Sequence, residues 1–170
     1  MRRRLCFVIA LLLVPTAAHA HDHKAAAFLG FTDAPDASNL PGVQFSWEQA
    51  IPANRKVNIV GDVDFHGGEH ENVDIKRFVY LVGASYSFVN MDDPSRFVPS
   101  VHFLTGSVID NAGPQQGGSA AIAMGGALDI LKGKHAAPYG VRLQAEYVVN
   151  SGQNYWKYSA GMIFRLHATP

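Results

Sequence analysis

The chain has 170 residues, 48% of them hydrophobic and 16% charged, with 14 basic and 14 acidic side chains and a single cysteine. Balanced charge leaves no electrostatic footprint for nucleic acid, and one cysteine excludes a disulfide framework. Past residue 20 no stretch approaches the roughly 18 consecutive apolar residues of a membrane helix, which excludes a helical span but leaves a β-barrel open.

Arg2, Arg3 and Arg4, an apolar run over 5–14 and Ala18-His19-Ala20 together read as a secretory signal peptide over 1–20, with a mature domain over 21–170. Its removal leaves 11 basic against 14 acidic residues, a net charge of −3, and takes Cys6 away. Cys6 also lies too early to be a lipoprotein attachment site. An exported chain without disulfides must hold together by core burial or by a closed hydrogen-bonded sheet.

From residue 21 onward, segments of period two recur between turn-rich stretches. The first strand is short, about 25–32. The second, 43–51, sets Val43, Phe45, Trp47 and Ile51 against Gln44, Ser46 and Glu48. The third, 57–66, sets Val57, Ile59, Val63 and Phe65 against Asn58, Asp62, Asp64 and His66. The fourth, about 75–88, places Phe78, Tyr80, Val82, Ala84, Tyr86 and Phe88 opposite Arg77, Gly83, Ser85 and Ser87. The fifth, 97–109, opposes Phe97, Val101, Phe103 and Ile109 to Ser100, His102, Gly106 and the following Asp110. The sixth, about 120–131, opposes Ile122, Met124, Leu128 and Ile130 to Ala121, Ala123, Gly125, Ala127 and Asp129.

The last hairpin, 138–166, carries the clearest pattern. Tyr139, Val141, Leu143, Ala145, Tyr147 and Val149 alternate with Gly140, Arg142, Gln144, Glu146 and Val148. After a turn through 150–154, Trp156, Tyr158, Ala160, Met162, Phe164 and Leu166 alternate with Tyr155, Lys157, Ser159, Gly161, Ile163 and Arg165. Each run matches the roughly 9–11 residues of a tilted membrane-crossing strand. Val60, Val79, Leu81 and Leu104 depart from the pattern by falling on the polar side.

Eight strands suit the smallest closed barrels. The expected fold is therefore an all-β, eight-stranded antiparallel up-and-down transmembrane barrel. With the amino terminus on the periplasmic side, the outward loops are 33–41, 67–73, 111–118 and 150–154, and the inward turns are 52–56, 90–96 and 132–137. The outward set is only slightly longer.

Alternation alone cannot separate a membrane barrel from a soluble ligand carrier, which would turn its apolar side inward. The polar side decides for the membrane. Glu48, Asp62, Asp64, Asp129 and Glu146 stand there against Arg77, Arg142, Lys157 and Arg165, with His102 and many small residues. Mixed charge at low density suits a narrow lumen in which ions pair, and water-facing strands carry more Lys, Glu and Thr.

The lipid-facing set is then Phe65, Tyr80, Tyr86, Phe88, Phe97, Phe103, Tyr139, Tyr147, Trp156, Tyr158 and Phe164. Phe65 and Trp156 lie toward the outer ends, and Tyr86, Phe88, Phe97, Tyr139 and Phe164 toward the inner ends, in the manner of two interfacial girdles. Trp47 sits nearer mid-strand.

On Gly140-Val141-Arg142-Leu143-Gln144-Ala145-Glu146-Tyr147 and Tyr158-Ser159-Ala160-Gly161-Met162-Ile163-Phe164-Arg165-Leu166, the chain resembles the small eight-stranded outer-membrane proteins. That group includes the transmembrane domain of outer membrane protein A and the opacity-type adhesins. The resemblance implies an outer-membrane location and a final strand ending on an aromatic residue. Here Phe164 is followed by six more residues.

Other chemistry is weighed against plainer readings. A free amine ahead of His21, Asp22 and His23 could bind Cu(II) or Ni(II), but a frayed polar terminus is the stronger reading. His66, Glu69, His70, Glu71 and Asp74 could approach a divalent ion, although their spacing matches no known site. Ser100 and His102 are the nearest serine and histidine for a lipid-modifying enzyme, yet both fall on the lumen side. Eight strands also leave little space for a diffusion pore. The expectation is a monomeric, non-enzymatic barrel without cofactor or metal, whose partner is membrane lipid. The alternative is a soluble periplasmic barrel binding a small hydrophobic ligand.

Overall fold

The computed structural model describes residues 23–34, 37–70, 73–89, 96–112, 115–131, 139–151 and 153–166. The expected signal peptide over 1–20, and His21, Asp22 and Glu71, lie outside the described residues. Eight strands follow in chain order: β1 (His23–Ala34), β2 (Ala37–Ile51), β3 (Asn54–His70), β4 (Val73–Ser87), β5 (Phe97–Ala112), β6 (Gln115–Leu131), β7 (Tyr139–Asn150) and β8 (Asn154–Leu166). Each pairs antiparallel with its sequence neighbours, and β1 pairs with β8 to close the barrel.

The register fixes the barrel's shape. From Asp62, cross-strand pairs lead through Leu81 and Gly106 to Ala121 on β6. In the other direction they lead through Ser46, Ala26, Ile163 and Gly140 to Leu131 on the same strand. The circuit thus closes with a stagger of ten residues, which for eight strands tilts them by about 40°. So narrow a barrel is filled by its own side chains.

The strands run further than the apolar alternation indicates, and the connections shrink accordingly. The expected outward loops 33–41, 67–73, 111–118 and 150–154 reduce to the short links 35–36, 71–72, 113–114 and 151–153. The longer connections, 88–96 and 132–138, join strands at the end that carries the chain termini. The expected small excess of loop length at the outward end is therefore reversed. Backbone pairing continues through Gly67, Gly68 and Glu69 and through Asn111, Gln116 and Gly117, because a ladder needs N–H and C=O groups and no apolar side chain. Pro41 lies in β2 one residue before the ladder with β3 begins at Gly42 and His66, where its missing N–H costs no bond on that side.

Candidate functional site

Two surfaces of the wall carry whatever the protein does: the outer face and the filled interior. On the outer face, Phe65, Tyr80, Tyr86, Phe88, Phe97, Phe103, Tyr139, Trp156, Tyr158 and Phe164 are each 36–57% exposed. Tyr147 is half-buried, with its ring 5.1 Å from that of Trp156. Leu29, Phe45, Ile59, Val82, Val101, Met124, Leu143 and Met162 are exposed between them. Every strand thus contributes apolar side chains to one continuous outer belt. From Phe78 on β4 to Phe88 just past its end, at this tilt, the belt is about 25 Å tall. That is the height of a membrane barrel's apolar band, and a water-soluble surface does not expose apolar side chains on this scale.

Cross-strand pairing sorts the rings into two tiers. Tyr139 faces Phe164, and Tyr86 stacks edge-on with Phe88 at 5.5 Å, near the terminal end. Phe65 faces Phe78 at 4.8 Å and Tyr147 faces Trp156 toward the other end. Trp47 stays between the tiers on β2, where the ring of His23 stacks on it at 5.9 Å.

The interior holds three polar groups stacked along the axis. Nearest the termini, Arg142 donates to both oxygens of its cross-strand neighbour Asp129, with Nη2 to Oδ2 at 3.0 Å, and reaches across the lumen to Glu48. Lys24 completes this group, 3.3 Å from Glu48 and 3.5 Å from Asp129. At mid-height Lys157 pairs with its neighbour Glu146 and with Asp64 on β3, three strands away, the latter at 2.7 Å. His102 Nε2 lies 2.8 Å from Glu146, and Gln44 donates to Asp62 at 3.2 Å. Toward the far mouth Arg77 donates to Asp110 at 2.7 Å and to Gln153 at 3.5 Å, with its guanidinium 4.5 Å from the ring centre of Tyr155. Arg165 is buried at the terminal end beside Lys24 in the register.

His102 and Glu146 meet over Gly125, which pairs with both in the sheet. A Cβ on Gly125 would stand 2.8 Å from His102 Nε2, so glycine is what lets two residues on non-adjacent strands meet. A serine–histidine pair open to lipid does not form here. Ser100 is buried, and His102 is turned to Glu146 inside the wall.

Asn58 also donates to Ser85 and Ser87, and much of the remaining interior is apolar. Val60, Val79, Leu81, Leu104, Val108, Ala121, Ala123, Val148 and Tyr155 form one buried cluster. The residues that depart from the polar alternation in the sequence are thus lumen filling, contributed mainly by β4, β5 and β6. Lys24, Gln44 and Gln153 also belong to the polar groups. Lys24 escapes notice because its strand is short in apolar pattern. Extending that strand's alternation down from Phe28 through Ala26 would have placed it inside.

The histidine segment is strand and not loop. His66 points inward, with Nδ1 3.3 Å from the carbonyl of Leu40. Among the described residues no cluster of histidine, cysteine and carboxylate side chains is arranged to hold a metal.

No protein-family model matches the chain, and no curated protein matches it. Solved structures do. Neisserial surface protein A aligns at TM-score 0.62 and 13% identity over 88% of this chain and 99% of that one. Ail, the attachment invasion locus protein of Yersinia pestis, aligns at 0.55 and 11% over 88% and 100%. The outer membrane enzyme PagL aligns at 0.52 and 14% over 85% and 99%. The chain therefore has the fold of the small eight-stranded outer-membrane β-barrels, and the resemblance seen in its last hairpin holds at the level of fold.

Proposed function

We propose that the protein is a monomeric, non-enzymatic barrel of the outer membrane, closed to diffusion, with a structural or surface-interaction role. One observation carries this reading. An apolar belt about 25 Å tall surrounds an interior in which ions on strands three apart are paired. The belt asks for acyl chains, and the paired interior leaves no open conduit among the described residues. In this reading the lipid-facing set and the lumen charges have the structural roles their positions suggest, and the termini face the periplasm.

The fold alone is compatible with catalysis, since PagL is described as an enzyme. What favours a non-catalytic role is the placement of Ser100 and His102 inside the wall. The soluble-carrier alternative needs apolar side chains around a central cavity, whereas here the large exposed ones point outward.

Fractionation of expressing cells tests the reading. The protein is expected to sediment with outer membranes and to migrate differently on a denaturing gel before and after boiling. Recovery in osmotic-shock fluid, with no shift on boiling, overturns it.

A further inference from the structure

The rim away from the termini is uneven. The β5–β6 hairpin pairs up to Ala112 and Gln115, but the ladder between β6 and β7 stops at Ala121 and Asn150. Residues 115–120 of β6 therefore have a strand on one side only. On β4, by contrast, only Val73 and Asp74 lie beyond the last pair with β5. Successive strand residues alternate in direction, so half of these six point both N–H and C=O away from β5. Among the described residues no backbone hydrogen bond outside the ladders reaches this stretch.

Among the described residues nothing guards the edge. Exposed strand edges are normally blunted by charge, proline or a bulge, and Gln115, Gln116, Gly117, Gly118, Ser119 and Ala120 supply none of the first two. Their pairing with β5 runs without a register shift. Gly117 and Gly118 are exposed, and a Cβ built on Gly117 meets nothing within 4 Å.

We propose that this edge is a docking site for an extended peptide segment of a partner protein, added antiparallel to β6 in the place that β7 vacates. The partner's chemistry follows from the edge. Main-chain hydrogen bonds supply the attraction, as in other cases of strand addition. Uncharged, β-prone residues fit an uncharged template, and an aromatic side chain opposite Gly117 or Gly118 would cover the bare backbone. A second copy in the same membrane fits poorly. Two-fold symmetry about the membrane normal would cross the two β6 strands at about 80°, twice the tilt, so no ladder continues.

The inference rests on the outer-membrane reading, and the experiment separates the two. The full chain is placed in phospholipid nanodiscs, where insertion and the boiling shift test the barrel itself. Residue-resolved amide hydrogen exchange then follows 115–120, with and without a nine-residue peptide alternating threonine and valine around a central phenylalanine. The free barrel is expected to show alternate fast and slow amides. The peptide should slow the fast ones about tenfold or more, and a Gly117→Lys, Ser119→Lys double variant should lose that protection while Glu69→Lys keeps it. An inserted barrel whose 115–120 amides are all slow without peptide, or stay unslowed at millimolar peptide, overturns the proposal and leaves the barrel reading standing. Peptide-independent protection that rises with barrel concentration assigns the edge to a second copy, and also overturns it.

Discussion

On the side of the lumen formed by β8, β1, β2 and β3, Lys157, Lys24, Glu48 and Asp64 meet partners by charge. On the side formed by β4, β5 and β6, Leu81, Leu104, Val108 and Ala123 meet by volume alone. Both sides are made by the same inward-facing positions of the same alternating strands. They differ in what they demand of the register. Arg142 to Glu48 and Lys157 to Asp64 each join strands three apart across the β1–β8 seam, and such pairs form only if the barrel closes with the correct stagger. The apolar side accepts small displacements, because packing has no sign. The ionic side therefore specifies closure and the apolar side fills what closure leaves.

The strongest way to break this division is to remove the hub of the ionic side. Arg142→Ala leaves Glu48 and Asp129 buried with Lys24 between them and no guanidinium bridging the two. Breaking such a buried network by deleting one partner costs about 3–5 kcal/mol. Urea unfolding in lipid vesicles should show that loss. A cost below about 1 kcal/mol would mean that water reaches the group and that closure is specified elsewhere. On the apolar side, Leu104→Ala empties a position that is 0% exposed, with an expected loss of about 2–5 kcal/mol. The same vesicle assay checks it, and the Leu104 loss should not change with salt.

The preceding residue along β5 sharpens the contrast between inside and outside. Phe103 is 55% exposed at mid-height of the belt, beside Ala84 and Met124 in the sheet. Phe103→Arg should cost about 2–4 kcal/mol if that face meets acyl chains near the bilayer centre. In a detergent-free aqueous barrel the same change would be close to neutral, so the measurement also tests the membrane assignment.

These adjacent residues show what alternation could and could not reveal. Parity along β5 separates Phe103 from its neighbours, and parity along β7 separates Tyr147 from Glu146, so the faces and the number of strands were readable directly. The three-dimensional partners were not. Arg142 and Asp129 are neighbours only because β6 and β7 pair with one particular offset, and Glu48 joins them only through the ten-residue stagger of the whole circuit. Leu81 and Leu104 read as lapses in a polar face because the sequence does not show that one sector of a narrow lumen can be filled with apolar groups. The strand ends were misjudged where side chains turn polar above the belt, at Gly67 and Asn111, since backbone pairing outlasts the pattern that betrays it.

Gly125 links the two sides at smaller energy. It lies between His102 and Glu146 in the sheet, and Gly125→Ala forces its methyl against the backbone carbonyl of Ala145 as well as against His102 Nε2. Displacing a buried side chain in this way costs about 1–3 kcal/mol. Pairing Gly125→Ala with His102→Ala in a double-mutant cycle should recover only the part of the loss due to the ring, because the contact with the Ala145 carbonyl remains. Fully additive losses would show that this backbone contact alone sets the cost.

The smallest effect is expected at the far mouth, where water enters the comparison. The Asp110 side chain is 39% exposed while that of Arg77 is 3% exposed. Asp110→Asn removes one charge of the pair, yet Arg77 keeps Gln153 at 3.5 Å and the ring of Tyr155 at 4.5 Å. A half-solvated ion pair contributes about 0–1 kcal/mol, and the loss should shrink further as added salt screens it. Arg142→Ala should lose nearly the same stability at low and high salt, because its partners are shut away from ions. If Asp110→Asn instead costs as much as Arg142→Ala and ignores salt, the dry region extends to the rim. The three polar groups would then act as one network from end to end.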